Sequence, residues 1–328
     1  MKYYITGING FIGFTLAKKL SEAGHDVTGI DNLNHYYDVS LKIARNRILQ
    51  SDYKVRSYYG NILSNSDLDH TFSKEKPDVV IHLAAMLGVK NTESHKDLCW
   101  RINATATHHI VNACIKNKIK KLIFSSSSEV YGEQQTVKKI SENSPLLGRN
   151  IYALSKISAE NFIRTKLKKS NTKYTILRLF NTYGEGQVAQ FFISKLCYSA
   201  INNKNFIVNG NGSQIRSYGY SGDIAMGIKK CIQKKITDGK IYNIGNSNEI
   251  FTLKQVIGLT SKLFKKKIKV IYNVNFKKGD RNKNREIFQR ICEIKKAKKE
   301  INFYPKIGLE AGLKKVLSQK KIYGNWPT

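Results

Sequence analysis

The segment KYYITGINGFIG, from Lys2 to Gly13, is an apolar run of strand length that passes directly into three glycines. The glycine spacing G-x-x-G-x-x-G predicts a strand, a tight turn and the start of a helix. Gly7 can adopt backbone angles that a side chain forbids, Gly10 lets the main chain approach a pyrophosphate, and Gly13 lets the helix lie against the strand. Because the N-terminus of that helix would face an anion, the turn is predicted to bind phosphate.

A second strand strengthens this interpretation, since glycine-rich turns alone are common. The run HDVTGI, residues 25–30, leads into Asp31, which follows the glycines at about the 20-residue distance seen in dinucleotide sites. A carboxylate at this strand end bonds the hydroxyls of an adenosine ribose and would repel a 2′-phosphate. The two segments together predict a site that takes NAD rather than NADP.

Further apolar runs of strand length alternate with segments of helical spacing. They lie at residues 55–59, 78–83, 121–125, 174–179 and 241–244. The alternation predicts an α/β fold, a Rossmann-type doubly wound parallel sheet with a smaller mixed α/β substrate-binding domain. We assign residues 1–180 to the NAD-binding domain, with later segments near 217–248 returning to it, and residues 181–328 mainly to the substrate-binding domain.

The net charge is extreme, because 56 Lys and Arg residues face only 24 Asp and Glu residues, a formal charge of +32. Dense positive charge attracts polyanions such as nucleic acids and acidic membrane surfaces. Here the excess is spread along the chain rather than gathered in one arm, which is typical of a lysine-rich composition on an ordinary surface. We therefore expect no nucleic acid or membrane partner, although a basic surface would attract a doubly charged sugar nucleotide.

The five cysteines form no C-x-x-C pair and have no histidine at metal-ligand spacing. They are interpreted as buried, reduced thiols, and no metal is predicted. The first strand begins at Lys2, which leaves no room for a signal peptide, and no run approaches the ~18 apolar residues that span a bilayer. A cytoplasmic location is expected.

The residues for proton chemistry lie in a helix predicted over residues 150–169. Its i, i+4 spacing places Tyr152 and Lys156 on one face. A tyrosine at its reference pKa of about 10 is a poor base at neutral pH, but a nearby ammonium and a positive nicotinamide would both favour the phenolate. The preceding strand ends in SSSSE, residues 125–129, where Ser127 can hold a sugar oxygen against Tyr152.

With these pieces in order, the chain resembles the extended short-chain dehydrogenase/reductase family, specifically its NAD-dependent nucleotide-sugar epimerases and dehydratases. The family motifs are matched by TGINGFIG (6–13), HLAA (82–85), SSSSEVYG (125–132), YALSK (152–156), LRLFNTYG (177–184) and GSQIRSYGYSGDIA (212–225). The segment GIDNLNHYYDVSLK (29–42) is most similar to UDP-glucuronate 4-epimerases. The resemblance covers almost the whole chain. It implies a UDP-sugar substrate and a homodimer paired through helices near residues 96–117 and 152–169.

The resemblance also assigns roles to individual residues. The catalytic candidates are Ser127, Tyr152, Lys156 and Glu129. The cofactor-binding candidates are Gly7, Gly10, Phe11, Ile12, Gly13, Asp31, Asn32, Asn61, Ile62, Leu83, Ala84, Ala85, Tyr152 and Lys156. The substrate-binding candidates are Ser127, Ser128, Arg149, Asn181, Arg216 and Arg290. Arg216 and Arg290 match phosphate-binding arginines of the family, a task that suits a guanidinium because its fork bonds two oxygens.

The chain departs from the family pattern at several positions. Asn61 replaces an aspartate that touches adenine, and an amide can still pair with that base. Ser217 and Gly222 replace acids, and Cys292 replaces a proline. These differences concern details of the substrate side and leave the predicted fold unchanged.

The reactions of the family share a first step, in which the tyrosine takes the 4-hydroxyl proton and hydride leaves C4, giving a 4-keto sugar. A 4-epimerase returns the hydride to the other face, whereas 4,6-dehydratases lose water and uronate decarboxylases lose carbon dioxide. Our first hypothesis is a nucleotide-sugar 4-epimerase. The run Ser127-Ser128-Glu129 and Arg149 keep the dehydratase and decarboxylase alternatives open. Glu129 is then either a base or a structural hydrogen-bond acceptor.

A hypothesis of another class is a non-catalytic protein that senses NAD and binds nucleic acid. Members of the family without catalysis usually lose the tyrosine or the lysine, and this chain keeps both Tyr152 and Lys156. We therefore favour an enzyme, although a fold alone does not determine function. Among the histidines, His82 is expected to be packed or bonded to backbone rather than catalytic, and no role is assigned to the others that we considered.

Overall fold

The computed structural model describes residues 1–134, 139–276 and 286–318. The strands that form its main sheet and smaller sheets are, in chain order, β1 (Lys2–Thr6), β2 (Asp26–Asp31), β3 (Arg56–Tyr59), β4 (Val79–His82), β5 (Lys121–Ser127), β6 (Lys173–Leu179), β7 (Thr182–Tyr183), β8 (Phe206–Asn209), β9 (Ile215–Ser217), β10 (Gly219–Tyr220), β11 (Lys240–Ile244), β12 (Ile250–Thr252), β13 (Val270–Asn273) and β14 (Gln289–Arg290).

The α-helices are α1 (Phe11–Ser21), α2 (Val39–Tyr53), α3 (Asn65–Glu75), α4 (Val89–Ser94), α5 (Lys96–Trp100), α6 (Ala106–Lys116), α7 (Ile151–Leu167), α8 (Phe192–Ile201), α9 (Ser221–Gln233), α10 (Leu253–Phe264), α11 (Lys295–Ile301) and α12 (Leu309–Ser318). A π-helical turn (Arg101–Thr105) precedes α6, and 3₁₀ turns lie at Ser128–Tyr131 and Lys235–Thr237. None of the helices in the described part of the chain is long and apolar enough to cross a membrane.

Seven strands form one sheet in the order β11-β6-β5-β4-β1-β2-β3, with every neighbouring pair parallel. This confirms the predicted Rossmann-type doubly wound sheet. The chain order reverses between β1 and β4, and sheets of this kind bind ligands at the carboxyl ends of the strands on either side of that reversal. The predicted strands recur with small shifts at their ends. The largest shift is in β5, which continues to Ser127 because it stays paired with β6 to its end.

The side chains of β1 show why the sheet is covered on both faces. Tyr3 and Ile5 point into a core that also contains Leu16 of α1, whereas Tyr4 points into a second core with Phe124 of β5. Successive side chains of a strand alternate between the two faces, so a fully apolar strand needs helices on both sides. Helices α1 and α9 pack together on one face, while α6 packs against α3 and α7 on the other.

Later parts of the chain return to this sheet. Strand β11 pairs with β6 at the sheet edge, and α9 packs on α1. A further segment also joins the core of the sheet through Ala297, Ile301 and Phe303, around α11. This segment was not predicted from the sequence to join the sheet, because its few apolar residues stand among lysines. The boundary between two domains near residue 180 stays a prediction.

A third apolar core lies outside the large sheet. It contains Tyr183, Ile193, Phe206, Val256 and Leu313, which bring α8, α10 and α12 together with two short strands. Strand β7 follows directly after β6, so this smaller unit begins at the carboxyl end of the sheet. It therefore stands over the edge where a ligand is expected.

The thiols agree with the sequence-based interpretation. All five cysteines are buried and none is joined in a disulfide. Burial raises the pKa of each thiol, so the protonated form is favoured. They behave as small apolar core residues.

Candidate active site

The glycine-rich turn between β1 and α1 is packed too tightly for side chains. Gly7 has a φ of +70°, and a Cβ there would lie 2.9 Å from the Cα of Ala84 in the loop after β4. A Cβ on Gly13 would lie 2.2 Å from the carbonyl oxygen of Gly7. The glycines thus bring the strand, the helix and the β4 loop into direct contact, as the motif predicts.

The first turn of α1 is open to an anion. Gly10 is the N-cap residue, and the helix has no side-chain cap. The N-cap residue therefore supplies no side-chain acceptor for the N–H groups of Phe11 and Ile12, which begin the helix. Because these donors and the helix dipole favour negative charge, the turn fits the pyrophosphate of a dinucleotide.

The end of β2 carries the predicted ribose-binding carboxylate, Asp31. The N–H of Asn9 donates to its Oδ2 at 3.2 Å, and the N–H of Leu33 donates to its Oδ1 at 2.9 Å. The Nζ of Lys42, a buried residue of α2, lies 3.6 Å from Oδ1. Burial lowers the pKa of Lys42, and the charge of Asp31 opposes that effect. Asp31 is therefore anchored beside the glycine turn, where a ribose-binding carboxylate is needed.

The other residues predicted for the adenosine end follow β2 and β3. Asn32 comes directly after Asp31 and accepts the N–H of Asn34 at 3.2 Å. The side-chain oxygen of Asn61 accepts the N–H of Leu63 at 3.0 Å, so this residue shapes the turn after β3. Ile62 beside it is buried. Both strand ends lie on the same edge of the sheet as the glycine turn.

His82 at the end of β4 is held by two hydroxyl groups rather than by backbone. Its Nδ1 shares a hydrogen bond with the Thr6 hydroxyl at 2.7 Å, and its Nε2 shares one with the Thr107 hydroxyl at 3.1 Å. Burial, with a smaller effect of the Lys156 charge, lowers the pKa of His82 to about 3. The ring is neutral and packed, as expected. The predicted cofactor contacts Leu83, Ala84 and Ala85 follow it and are half-buried at the same edge.

Helix α7 presents the predicted tyrosine and lysine. Asn150 caps the helix by accepting the N–H of Ala153 at 2.8 Å, within the range predicted from sequence. A side-chain hydrogen bond joins Tyr152 to Ser127 at the end of β5. Lys156, which is 2% exposed, donates from Nζ to the carbonyl oxygen of Ser125 at 2.9 Å. The structure therefore brings the serine, tyrosine and lysine together where β5 meets α7.

The pKa of Tyr152 differs from the expectation that a neighbouring ammonium would lower it. Burial raises the pKa of the phenol, the Ser127 hydrogen bond lowers it, and the nearby carboxylate of Glu129 raises it again. The cation that lowers it is Arg290 rather than Lys156. Lys156 itself is desolvated, and burial lowers its pKa to about 8. Among the protein groups alone, the phenol is therefore favoured over the phenolate.

A chain of polar contacts links Glu129 to the predicted substrate residues. Arg290, which is 4% exposed, places Nη1 2.5 Å from Oε1 of Glu129 and donates from Nη2 to the side-chain oxygen of Asn181 at 3.1 Å. Asn150 also donates to Glu129 at 3.4 Å. In this group of contacts, two buried donors have no hydrogen-bond partner among the described residues, namely Nε of Arg290 and Nδ2 of Asn181. Unsatisfied buried donors are costly, so their presence at one place fits a ligand that supplies oxygen atoms.

Three other predicted substrate residues lie in different surroundings. Arg216 is buried and its Nη2 lies 3.0 Å from Oε1 of Glu286, in an ion pair that sequence spacing did not predict. Ser128 is buried at the start of a 3₁₀ turn, next to Ser127. Arg149 is exposed just before α7. Of the three, only Arg149 is accessible without a rearrangement of neighbouring groups.

Two basic residues of α2 also belong to this site and were not predicted from the sequence. Lys42 contacts Asp31, as described above, and Arg45 donates from Nη1 to the carbonyl oxygen of Asn9 in the glycine turn at 3.0 Å. The i, i+3 spacing of these two residues on the helix after the acidic strand end was available as a signal. It was overlooked because lysine and arginine are so frequent in this chain.

A buried ion pair between β6 and α7 stabilises the arrangement of the site. Arg178 of β6 donates to both oxygens of Glu160 on α7, at 3.0 and 2.7 Å. The hydroxyl of Ser126 also donates to Glu160. This pair locks α7 to β5 and β6 and so maintains the relative placement of Tyr152 and Ser127.

Comparison with known proteins agrees with this geometry. Residues 3–245 match the model of the NAD dependent epimerase/dehydratase family. The chain belongs to this family. A UDP-glucuronate 4-epimerase of Thermodesulfobacterium geofontis is 30% identical over 321 residues, which are 97% of this chain and 96% of the relative.

Two further comparisons show the range of the family. The crystal structure of UDP-glucuronic acid 4-epimerase from Bacillus cereus, in complex with UDP-glucuronic acid and NAD, has a TM-score of 0.90 at 26% identity, covering 98% of this chain and 100% of that one. A UDP-N-acetyl-alpha-D-glucosaminuronate decarboxylase of Bacillus cytotoxicus is 32% identical over 332 residues, 95% of each chain. Family membership confirms the predicted class of enzyme and NAD as its cofactor.

Proposed function

We propose that this member of the family is a 4-epimerase of a nucleotide-diphosphate sugar, with a UDP-sugar as substrate. The proposal is supported by the Ser127–Tyr152 pair and by the relatives that share the fold and length of the chain. The observation that carries it is the ion pair between Glu129 and Arg290, because that pair argues against the dehydratase alternative.

The residues that would hold NAD are those at the carboxyl edge of the sheet. The glycine turn and the first turn of α1 suit the pyrophosphate, and Asp31 suits the adenosine ribose. Lys156 would hold the nicotinamide ribose beside Tyr152. When bound, NAD supplies a hydride acceptor for C4 and a positive charge near the tyrosine.

The proposed work of the protein residues is proton transfer and orientation. Ser127 and Tyr152 would both contact the 4-hydroxyl, and Tyr152 would take its proton as the C4 hydrogen leaves. The same phenol would return the proton when hydride comes back to the opposite face of C4. Protons and hydride balance over the cycle, so no further acid or base is needed. Arg290 and Asn181, with their unpaired donors, would hold the diphosphate.

The ion pair of Glu129 argues against dehydration. A 4,6-dehydratase needs a carboxylate whose oxygen can reach the C5 proton. Oε1 of Glu129 lies 2.5 Å from Nη1 of Arg290, and Oε2 accepts from Asn150 at 3.4 Å, so both oxygens are already engaged with protein donors. Glu129 is better suited to hold Arg290 in place than to abstract a proton.

The proposal is tested by product analysis. Purified protein with NAD is incubated separately with UDP-glucuronate, UDP-glucose and GDP-mannose, and products are read by NMR. We expect inversion at C4 of a UDP-sugar with all atoms retained. Loss of water would support the dehydratase, and loss of carbon dioxide would support the decarboxylase suggested by Arg149 and by the 32% identical relative.

We also propose that the enzyme is a cytoplasmic homodimer. The buried cysteines without disulfides suit a reducing compartment. Helices α5 and α7, which lie in the segments predicted to form the dimer, pack against each other. They expose large apolar side chains, namely Leu98 and Trp100 on α5 and Leu154 on α7. A second copy is the partner that these apolar groups suit. Analytical ultracentrifugation should show a dimer, and a monomer at micromolar concentration would contradict this part of the proposal.

A further inference from the structure

Arg45 of α2 connects three segments that are far apart in the sequence. Its side chain is 1% exposed, which makes it one of the largest fully buried side chains of the protein. Nη1 donates to the carbonyl oxygen of Asn9 in the glycine turn at 3.0 Å and to the hydroxyl of Tyr37 at 3.1 Å. Nη2 donates to the carbonyl oxygen of Gly186 at 2.5 Å. One guanidinium thus joins the cofactor turn, the loop after β2 and a loop of the substrate side.

The charge of Arg45 is not cancelled by a carboxylate. It forms no ion pair within residues 1–134, 139–276 and 286–318, and its three oxygen partners are neutral. Lys42 nearby is matched by Asp31. A buried cation is costly unless other groups compensate it. The region behind the glycine turn therefore carries a net positive charge, which an anionic ligand at the turn would offset.

The loop that contains Gly186 is held closely against the cofactor side. A Cβ on Gly184 would lie 2.3 Å from the hydroxyl oxygen of Ser221 and 3.4 Å from the ring of Phe11 at the start of α1. Gly186 has a φ of +73° and is buried. Only the two-residue strand β7 separates this loop from Asn181, whose side-chain oxygen accepts a hydrogen bond from Arg290. A shift of this loop would therefore reach both binding sites.

We propose that Arg45 is a positioning residue that couples the binding of NAD to the binding of the nucleotide sugar; this inference rests on the proposed function. A dinucleotide bound at the turn would hold Asn9 in place, and the Asn9 carbonyl oxygen would then hold the guanidinium of Arg45. The guanidinium in turn holds the carbonyl oxygen of Gly186, and with it the loop that follows β7. By thermodynamic linkage, the effect is reciprocal, so each ligand raises the affinity for the other by the same factor.

The coupling is measured by isothermal titration of NAD into the protein, with and without saturating UDP. For the unmodified protein we expect UDP to tighten NAD binding by about fivefold or more. The coupling ratio is the Kd of NAD without UDP divided by its Kd with UDP. Arg45→Lys keeps the charge but lacks a planar fork that reaches two segments at once, so this ratio should fall below about twofold while NAD still binds. Arg45→Met also removes the charge and should weaken NAD binding itself.

A matched control is Arg56→Lys, because Arg56 lies at the exposed edge of the sheet and pairs with Asp26 and Glu75 instead. Its coupling ratio should equal that of the unmodified protein. A merely structural role for Arg45 would lower the melting temperature of Arg45→Lys and leave the ratio unchanged, which would overturn the inference. Absence of coupling in the unmodified protein would also overturn it, whereas failure of that protein to bind NAD would refute the proposed function instead.

A second measurement covers the case in which the Arg45 variants do not fold. Hydrogen exchange of the unmodified protein is compared with and without NAD in the absence of UDP. We expect NAD to slow exchange of the amides in residues 184–188 and to leave α10 unchanged. Equal exchange of residues 184–188 in the two states would contradict the proposed link.

Discussion

The cofactor side and the substrate side of the site are built from different parts of the chain. On the cofactor side, the turn predicted to bind phosphate consists of backbone groups and of glycines whose missing side chains permit close packing. On the substrate side, the proposed contacts come from side chains such as Ser127, Tyr152, Arg290 and Asn181, which lie on separate elements. For example, the contact between Arg290 and Glu129 joins residues that are 161 positions apart in the chain.

This difference predicts opposite sensitivities to mutation. Where the binding groups belong to the tightly packed main chain, an added methyl group should disrupt the site because the main chain has no room to move. Where the binding groups are side chains, the loss of a single polar atom should abolish function without disturbing the fold. The following experiments test that contrast.

The largest effect is expected on the substrate side from Tyr152→Phe. Removing the phenolic oxygen removes the proposed base, so the turnover number should fall by about 10²–10⁴-fold. NAD should still bind, because the glycine turn and Asp31 are unchanged, and the melting temperature should change little. Turnover is measured by NMR, with Tyr59→Phe as the control because Tyr59 is 80% exposed at the end of β3. Full activity of Tyr152→Phe would refute the proposed chemistry.

The corresponding change on the cofactor side is Gly13→Ala. The new Cβ would lie 2.2 Å from the Gly7 carbonyl oxygen, so the turn must shift. We expect the free energy of unfolding to fall by about 1–3 kcal/mol and NAD to bind more weakly. Gly258→Ala is the matched control, because a Cβ at that position in α10 meets no atom within 4 Å. It should stabilise the protein by about 0.5–1 kcal/mol, as seen in urea unfolding.

A smaller effect concerns Lys156, which lies between the two sides. Its pKa is about 8 in the folded protein, below the value of about 10.4 expected in the unfolded chain. Between these values the unfolded state binds more protons, so stability rises with pH. From pH 7.5 to 9.5 this residue should add ~2 kcal/mol to the free energy of unfolding.

That contribution is isolated by comparing the unmodified protein with Lys156→Met at both pH values. The pH dependence of unfolding by urea should differ between the two by the stated amount. If the free energy of unfolding depends on pH in the same way in both proteins, the pKa of Lys156 is not lowered in the folded state, contrary to what its burial indicates.

The smallest effect is expected from Glu129→Gln, which separates a positioning role from a base. If Glu129 holds Arg290, the variant should still invert C4, with a KM raised by up to about tenfold, or about 1.4 kcal/mol. The turnover number should change much less. A fall of the turnover number by more than about 10²-fold, with Glu22→Gln on the surface unaffected, would instead indicate that Glu129 transfers a proton.

Much of the cofactor side was predictable from the sequence because its parts are close in the chain or follow one another in the sheet. The glycine spacing, the acidic residue after β2 and the i, i+4 pair Tyr152 and Lys156 all act through local geometry. Their placement at one edge follows from the parallel order of the strands. The direction of the Tyr152 pKa was not predictable, because it depends on burial and on the charges of Glu129 and Arg290.

The amino-acid sequence by itself determined the doubly wound sheet, the glycine-rich turn and the helix that carries Tyr152, since each arises from periodicity and spacing over a few residues. Only the tertiary structure decided that Glu129 pairs with Arg290 and that Arg45 reaches Gly186, 141 positions away. Contacts of that kind depend on how separate elements pack. No local pattern specifies which of many lysines, arginines and glutamates will meet in a buried site, because that choice depends on shape and desolvation.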